Sequence, residues 1–224
     1  MYKINVLGLF FMWLVMAASC GGKEKTASES KKTVPVSIGS SNLKTILFFG
    51  NSLTAGYGVE PSQSFPALIQ DKIDSLQLSY KVINAGVSGE TSAGGNSRID
   101  WILKQPVDVF VLELGANDGL RGVPVDETQR NLQSIIDKVK AKYPDAKLVL
   151  AGMQVPPNMG QKYASDFQSI FPVLAKKNGM ALIPFLLEKV GGEAKLNQED
   201  GIHPSPEGHR ILAENVWSVL EKEL

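Results

Sequence analysis

Four short stretches of this chain carry residues with chemistry to offer. Gly50-Asn51-Ser52-Leu53-Thr54-Ala55-Gly56 places a serine just past an apolar run, next to glycine and ahead of a helix start. Backbone N–H groups at such a turn favour an anion, which suits a nucleophile, although serine is also a common helix cap. Asp200-Gly201-Ile202-His203-Pro204 holds an acid and a histidine three residues apart in a loop bounded by glycine and proline. The carboxylate can hold the imidazole tautomer while the other ring nitrogen takes a serine proton. Leu114-Gly115-Ala116-Asn117-Asp118-Gly119 offers Asn117, whose amide can donate to a developing oxyanion or simply cap a turn. Asn84-Ala85-Gly86-Val87-Ser88-Gly89-Glu90-Thr91 offers Gly86, where the missing side chain lets a backbone N–H approach a substrate or simply makes a turn. Each stretch is a weak signal taken alone. His209, in a helical stretch six residues after His203, reads as an ordinary helix-face residue.

Competing motifs fail. The nucleophile elbow G-x-S-x-G has its nearest string at Gly86 to Glu90, which lacks the last glycine. There is no G-x-x-x-x-G-K-[ST] phosphate loop, and Gly56-Tyr57-Gly58 does not continue to G-x-x-G.

The elements that must hold these stretches alternate between short apolar runs and amphipathic segments. Thr45–Phe49, Lys81–Asn84, Val107–Leu114, Lys147–Ala151 and Ala181–Ile183 read as strands. Phe65–Leu76 has apolar residues at helical spacing. Ser92–Lys104 reads as a helix stopped by Pro106. Asp126 is placed to cap a helix running to about Tyr143, with Gln129 at the reciprocal position. Tyr163–Asn178 reads as helical despite Pro172, and Ser205-Pro206 starts a last helix with Ile211, Leu212, Val216, Val219 and Leu220 on one face. Alternation of this kind means an α/β fold with a five-stranded parallel sheet covered on both faces. Ligands of such sheets bind beyond the carboxyl ends of the strands, and all four stretches fall there or in the last loop.

Composition limits the remaining possibilities. The chain has 224 residues, 23 basic and 23 acidic side chains, 43% hydrophobic residues, two histidines and one cysteine. Net charge zero argues against a nucleic-acid partner and against a polybasic membrane surface. One cysteine excludes an intrachain disulfide framework, and so few soft ligands exclude a structural zinc site, so no metal is expected. At the N-terminus, Lys3 precedes an uncharged apolar run from Val6 to Ala18, too short to span about 30 Å of hydrocarbon comfortably. Residues 1–19 therefore read as a signal peptide. Cys20 follows Ala17-Ala18-Ser19 and resembles the lipidated cysteine of a bacterial lipobox, with Ala17 where leucine is usual. Residues 20–42 are polar and poor in large apolar side chains, which reads as a tether. Residues 43–224 are then the single folded domain, on a protein exported and held at a membrane through Cys20.

Taken together, GNSLTAGYG, the glycine after the second strand, GANDG and DGIHP occur in order and at suitable spacings. The chain resembles the SGNH (GDSL-type) hydrolases over the whole stretch from about Lys44 onward, nearest to the thioesterase, lysophospholipase and arylesterase branch. The resemblance implies a flavodoxin-like three-layer fold and a serine esterase without cofactor. It implies Ser52 as nucleophile, His203 as base and then acid, and Asp200 as the residue orienting His203. The oxyanion donors it implies are the N–H of Ser52, the N–H of Gly86 and the side-chain amide of Asn117. The family usually has Asp before the nucleophile, where this chain has Asn51. Two loops, 116–123 and 154–160, are expected to line an acyl groove through Ala116, Leu120, Val155 and Pro156. The expected substrates are small-molecule acyl esters of short to medium chain, aryl esters, thioesters or lysophospholipids, and a monomer is expected. Alternatives are a carbohydrate O-acetylesterase, which calls for exposed aromatics of which Tyr57 and Trp101 are near, and a non-catalytic binder of acyl or glycan ligands.

Overall fold

The computed structural model describes residues 43–224. The expected signal peptide, Cys20 and the tether lie outside the described residues. In chain order the elements are β1 (Lys44–Gly50), α1 (Ser52–Ala55), α2 (Phe65–Ser75), β2 (Tyr80–Gly86), α3 (Ser92–Ile102), β3 (Val109–Glu113), α4 (Ala116–Leu120), α5 (Val125–Lys142), β4 (Lys147–Ala151), α6 (Gln161–Asn178), β5 (Ala181–Ile183) and α7 (Pro206–Leu220). The five strands form one parallel sheet in the order β2-β1-β3-β4-β5.

The strand sequences require this layering. Ile46, Leu47, Phe48 and Phe49 of β1 are fully buried, as are Phe110 and Leu112 of β3. A strand apolar on both faces needs helices on both. Helices α2 and α7 pack on each other, and α5 packs against α3 and α6. Phe48 meets Phe65 of α2 edge-on, with ring centroids 5.5 Å apart. Fully burying such a side chain contributes about 1.5–3 kcal/mol. From β1 the chain steps outward to β2 and then crosses back to β3. The loops leaving β1 and β3 therefore part at the carboxyl edge and open a crevice between them.

The helix starts hold two corrections. Ser205 caps α7 as expected, its side chain accepting the Gly208 N–H. Asp126 caps nothing: the N-cap of α5 is Pro124, with no side-chain cap, and Asp126 lies inside the first turn. Its charge still suits the positive end of the helix. The stretch 116–123 is not a plain loop, because residues 116–120 form α4 directly after Gly115. Gly115 has φ 117°, a left-handed value that glycine adopts without strain. Helix α6 runs through Pro172, held on both sides of the missing N–H by buried Phe167, Ile170, Phe171 and Leu174.

Candidate active site

Ser52 is the first residue of α1, immediately past the end of β1. The turn that presents it is tightly tied. The Asn51 side chain accepts the Leu53 N–H at 2.9 Å. Glu113 at the end of β3 accepts the Asn51 N–H at 3.1 Å and the Thr54 N–H at 3.3 Å. As the first helical residue, Ser52 has an N–H with no partner inside the helix.

The acid and the histidine arrive from the far end of the chain. One oxygen of Asp200 accepts the backbone N–H groups of Ile202 and His203, both at 3.0 Å. Its other oxygen lies 2.6 Å from His203 Nδ1. The three-residue spacing thus serves two purposes, since one carboxylate folds its own turn and holds the ring. Gly201 takes φ 73° within that turn. The hydrogen bond from the His203 ring, followed by those from the backbone, holds the Asp200 carboxyl well down, to about 2. His203 Nε2 stands 2.9 Å from Ser52 Oγ. With the ring proton on Nδ1, facing Asp200, Nε2 is free to accept the serine proton. The Tyr57 ring packs on the imidazole with centroids 4.6 Å apart. Gln198 Nε2 donates to the carbonyls of Tyr57 and Pro204, at 2.7 and 3.0 Å, tying the loop after Ser52 to the loop that carries His203.

These groups open into a cavity of about 590 Å³. Ala116, Leu120, Val155 and Pro156 all line it, together with Tyr57, Met153, Phe185, Leu187 and Ile202. Asn117 also lines it and donates one amide hydrogen to the Glu90 carbonyl at 3.0 Å, leaving the other available. Trp101, though 68% exposed, is not among the lining residues.

Gly86 requires a correction. It does not line the cavity, whereas Ser88 and Gly89 do. In the parallel ladder the Val87 N–H goes to the Gly50 carbonyl, so the Gly86 N–H points to the open side of edge strand β2. There the Asn84 side chain accepts it at 3.0 Å. The absence of a side chain at Gly86 serves packing instead, since a Cβ there would lie 2.2 Å from the Ala55 nitrogen. Gly89, three residues on, has φ 78° and brings its backbone to the cavity wall. Two glycines in one short stretch were the available signal, and choosing between them needs the direction of each N–H.

Sequence reasoning also passed over Glu113. A charged residue inside the apolar run VDVFVLEL was the visible signal. It is 1% exposed, and burial pushes its carboxyl up to about 7 against the pull of its hydrogen bonds with Thr54 and Asn51.

Comparison with known proteins agrees with this fold. The GDSL-like lipase/acylhydrolase family matches residues 48–211. The chain belongs to that family, the SGNH-type serine esterases. It is 41% identical over 179 residues to Esterase TesA of Pseudomonas aeruginosa, covering 80% of this chain and 88% of that one. It is 40% identical over 171 residues to Thioesterase 1/protease 1/lysophospholipase L1 of Escherichia coli K12, covering 76% and 80%. The crystal structure of TesA superposes with a TM-score of 0.77 at 41% identity, over 81% of this chain and all of that one.

Proposed function

We propose that this esterase works through Ser52, His203 and Asp200 on carboxylic esters and thioesters of short to medium acyl groups, aryl esters and lysophospholipids among them. Ser52 Oγ attacks the carbonyl carbon while His203 Nε2 takes its proton. Negative charge then develops on the carbonyl oxygen. The N–H groups of Ser52 and Gly89 and the free amide hydrogen of Asn117 are the donors for it. His203 returns the proton to the departing alcohol or thiol. Water, deprotonated by the same imidazole, releases the acid. Asp200 keeps the imidazole in the required tautomer and stabilises it when charged.

The observation that carries this reading is the unbroken line of contacts from Ser52 through His203 to Asp200 at the mouth of an apolar cavity. Apolar lining favours an acyl chain over a sugar, and the relatives named as esterase and as thioesterase/lysophospholipase support the same substrate class. In this reading the domain is a monomer, exported and held at a membrane by lipidated Cys20.

The test is labelling of the purified protein with a fluorophosphonate probe beside Ser52→Ala. Covalent labelling and ester turnover are expected to vanish in the variant, with a loss on the order of 10⁴–10⁶ in rate. Equal labelling of both proteins overturns the assignment. A series of p-nitrophenyl esters set against acetylated xylan then tests the substrate, and preference for the glycan overturns the acyl-chain reading.

A further inference from the structure

We propose that Glu113 is a positioning residue for the nucleophile, its carboxylate fixing where the Ser52 hydroxyl and N–H stand by gathering four donors from the residues on either side. This rests on the reading of Ser52 as nucleophile.

Glu113 Oε1 accepts Asn51 Nδ2 at 2.8 Å. Its Oε2 accepts the Asn51 N–H at 3.1 Å, the Thr54 N–H at 3.3 Å and the Thr54 hydroxyl at 2.8 Å. Asn51, so held, turns its Oδ1 to the Leu53 N–H, at 3.5 Å from Ser52 Oγ. The backbone N–H groups of residues 51, 53 and 54 are therefore all engaged by Glu113 or Asn51. That of Ser52, a residue lining the cavity, is engaged by neither. Gly50 is part of the same device, because a Cβ there would lie 2.5 Å from Glu113 Oε2.

Four donors converging on one carboxyl suit an acceptor with no proton of its own. A protonated Glu113 would bring a fifth hydrogen into a ring already full of them, and at least one bond to Asn51 or Thr54 would break. Burial makes that proton easy to add near neutral pH. No charged side chain bonds to Glu113 among the described residues. The ionisable groups on the elements around it are engaged elsewhere. Glu90 and Arg98 form an ion pair whose guanidinium also reaches the Gly50 carbonyl. Asp118 is bound by Ser92, and Asp200 holds His203 beyond Ser52. Asn51 suits this arrangement because its amide donates to Glu113 without a proton to lose. Aspartate at 51 would set two carboxyl groups together and force them to share one proton.

The experiment compares wild type, Glu113→Gln and Asn51→Asp by ester kinetics across pH and by the rate of Ser52-dependent fluorophosphonate labelling, with Ser52→Ala as control. Glu113→Gln is expected to lower kcat about 10²-fold through misplacement of the serine, with KM within about twofold and labelling slowed in parallel. The acid limb of kcat/KM is expected to reflect two protons in the wild type and one in Glu113→Gln. Asn51→Asp, nearly isosteric, is expected to stay active while the pair keeps one proton and to gain an alkaline descending limb that the wild type lacks. Should Glu113→Gln fail to fold, the alkaline limb of Asn51→Asp decides. Wild-type labelling rates and superimposable pH profiles in the variants overturn the positioning role while leaving the function intact. Labelling that persists in Ser52→Ala overturns the function itself, and the positioning role with it.

Discussion

Asn117 has two amide hydrogens, and the Glu90 carbonyl already holds one of them at 3.0 Å. That bond aims the other into the cavity, so the side chain is fixed before a substrate enters. A donor fixed in this way loses little on reaction and stabilises charge more strongly than mobile water does. Asn117→Ala is expected to lower kcat by about 10²–10³ with KM little changed. Steady-state kinetics on a soluble p-nitrophenyl ester would measure it, and a change confined to KM would show that Asn117 only binds substrate. Asn117 was legible in the sequence as an amide just past a buried strand, weak alone and stronger beside the other three stretches. Which glycine of the stretch 84–91 reaches the cavity was not, because composition does not say which way an N–H points.

At the scale of elements, His209 joins two helices distant in sequence. It sits on α7, 1% exposed, and its Nδ1 accepts the N–H of Phe65 at the start of α2, at 3.3 Å. The two rings stack with centroids 6.4 Å apart. It is therefore an interhelical cap and not the ordinary face residue that sequence spacing suggests. Burial, and after it the nearby His203, push its pKa down to about 4. The sign follows from linkage: the unfolded chain takes up a proton below its ordinary value of about 6.5, while the folded chain resists until about 4. Stability from this group is thus full above that window and lost as pH falls through it, by at most about 3 kcal/mol. Glu113 works in the opposite direction, because its raised pKa removes stability as pH rises from 4.5 to about 7. His209→Gln keeps an acceptor for the Phe65 N–H and cannot titrate. Urea unfolding at neutral pH and at about pH 4.5 is expected to show a smaller acid loss in this variant than in wild type. An equal loss would place the acid sensitivity elsewhere.

For the whole molecule, the parallel sheet separates entry from chemistry. Strand β1 starts at Lys44, and Ser52 stands just past its other end, a strand length of about 23 Å away. Cys20→Ser is expected to move the protein from the membrane fraction to the soluble one without changing its turnover, because the site is built wholly from residues after position 50. Retention of the variant at the membrane would refute anchoring through Cys20. The sequence by itself determined the alternation of five strands with helices and the pairing of Asp200 with His203, since both are written in local spacing. It also marked Ser52 and Asn117, which sit where parallel strands must end. Only the tertiary structure decided the rest, because it depends on register between strands far apart in the chain. Gly50 pairs with Gly86 on one side and with Glu113 on the other. That alignment turns the Gly86 N–H outward, leaves Gly89 at the cavity and sets the buried Glu113 against the turn that carries Ser52.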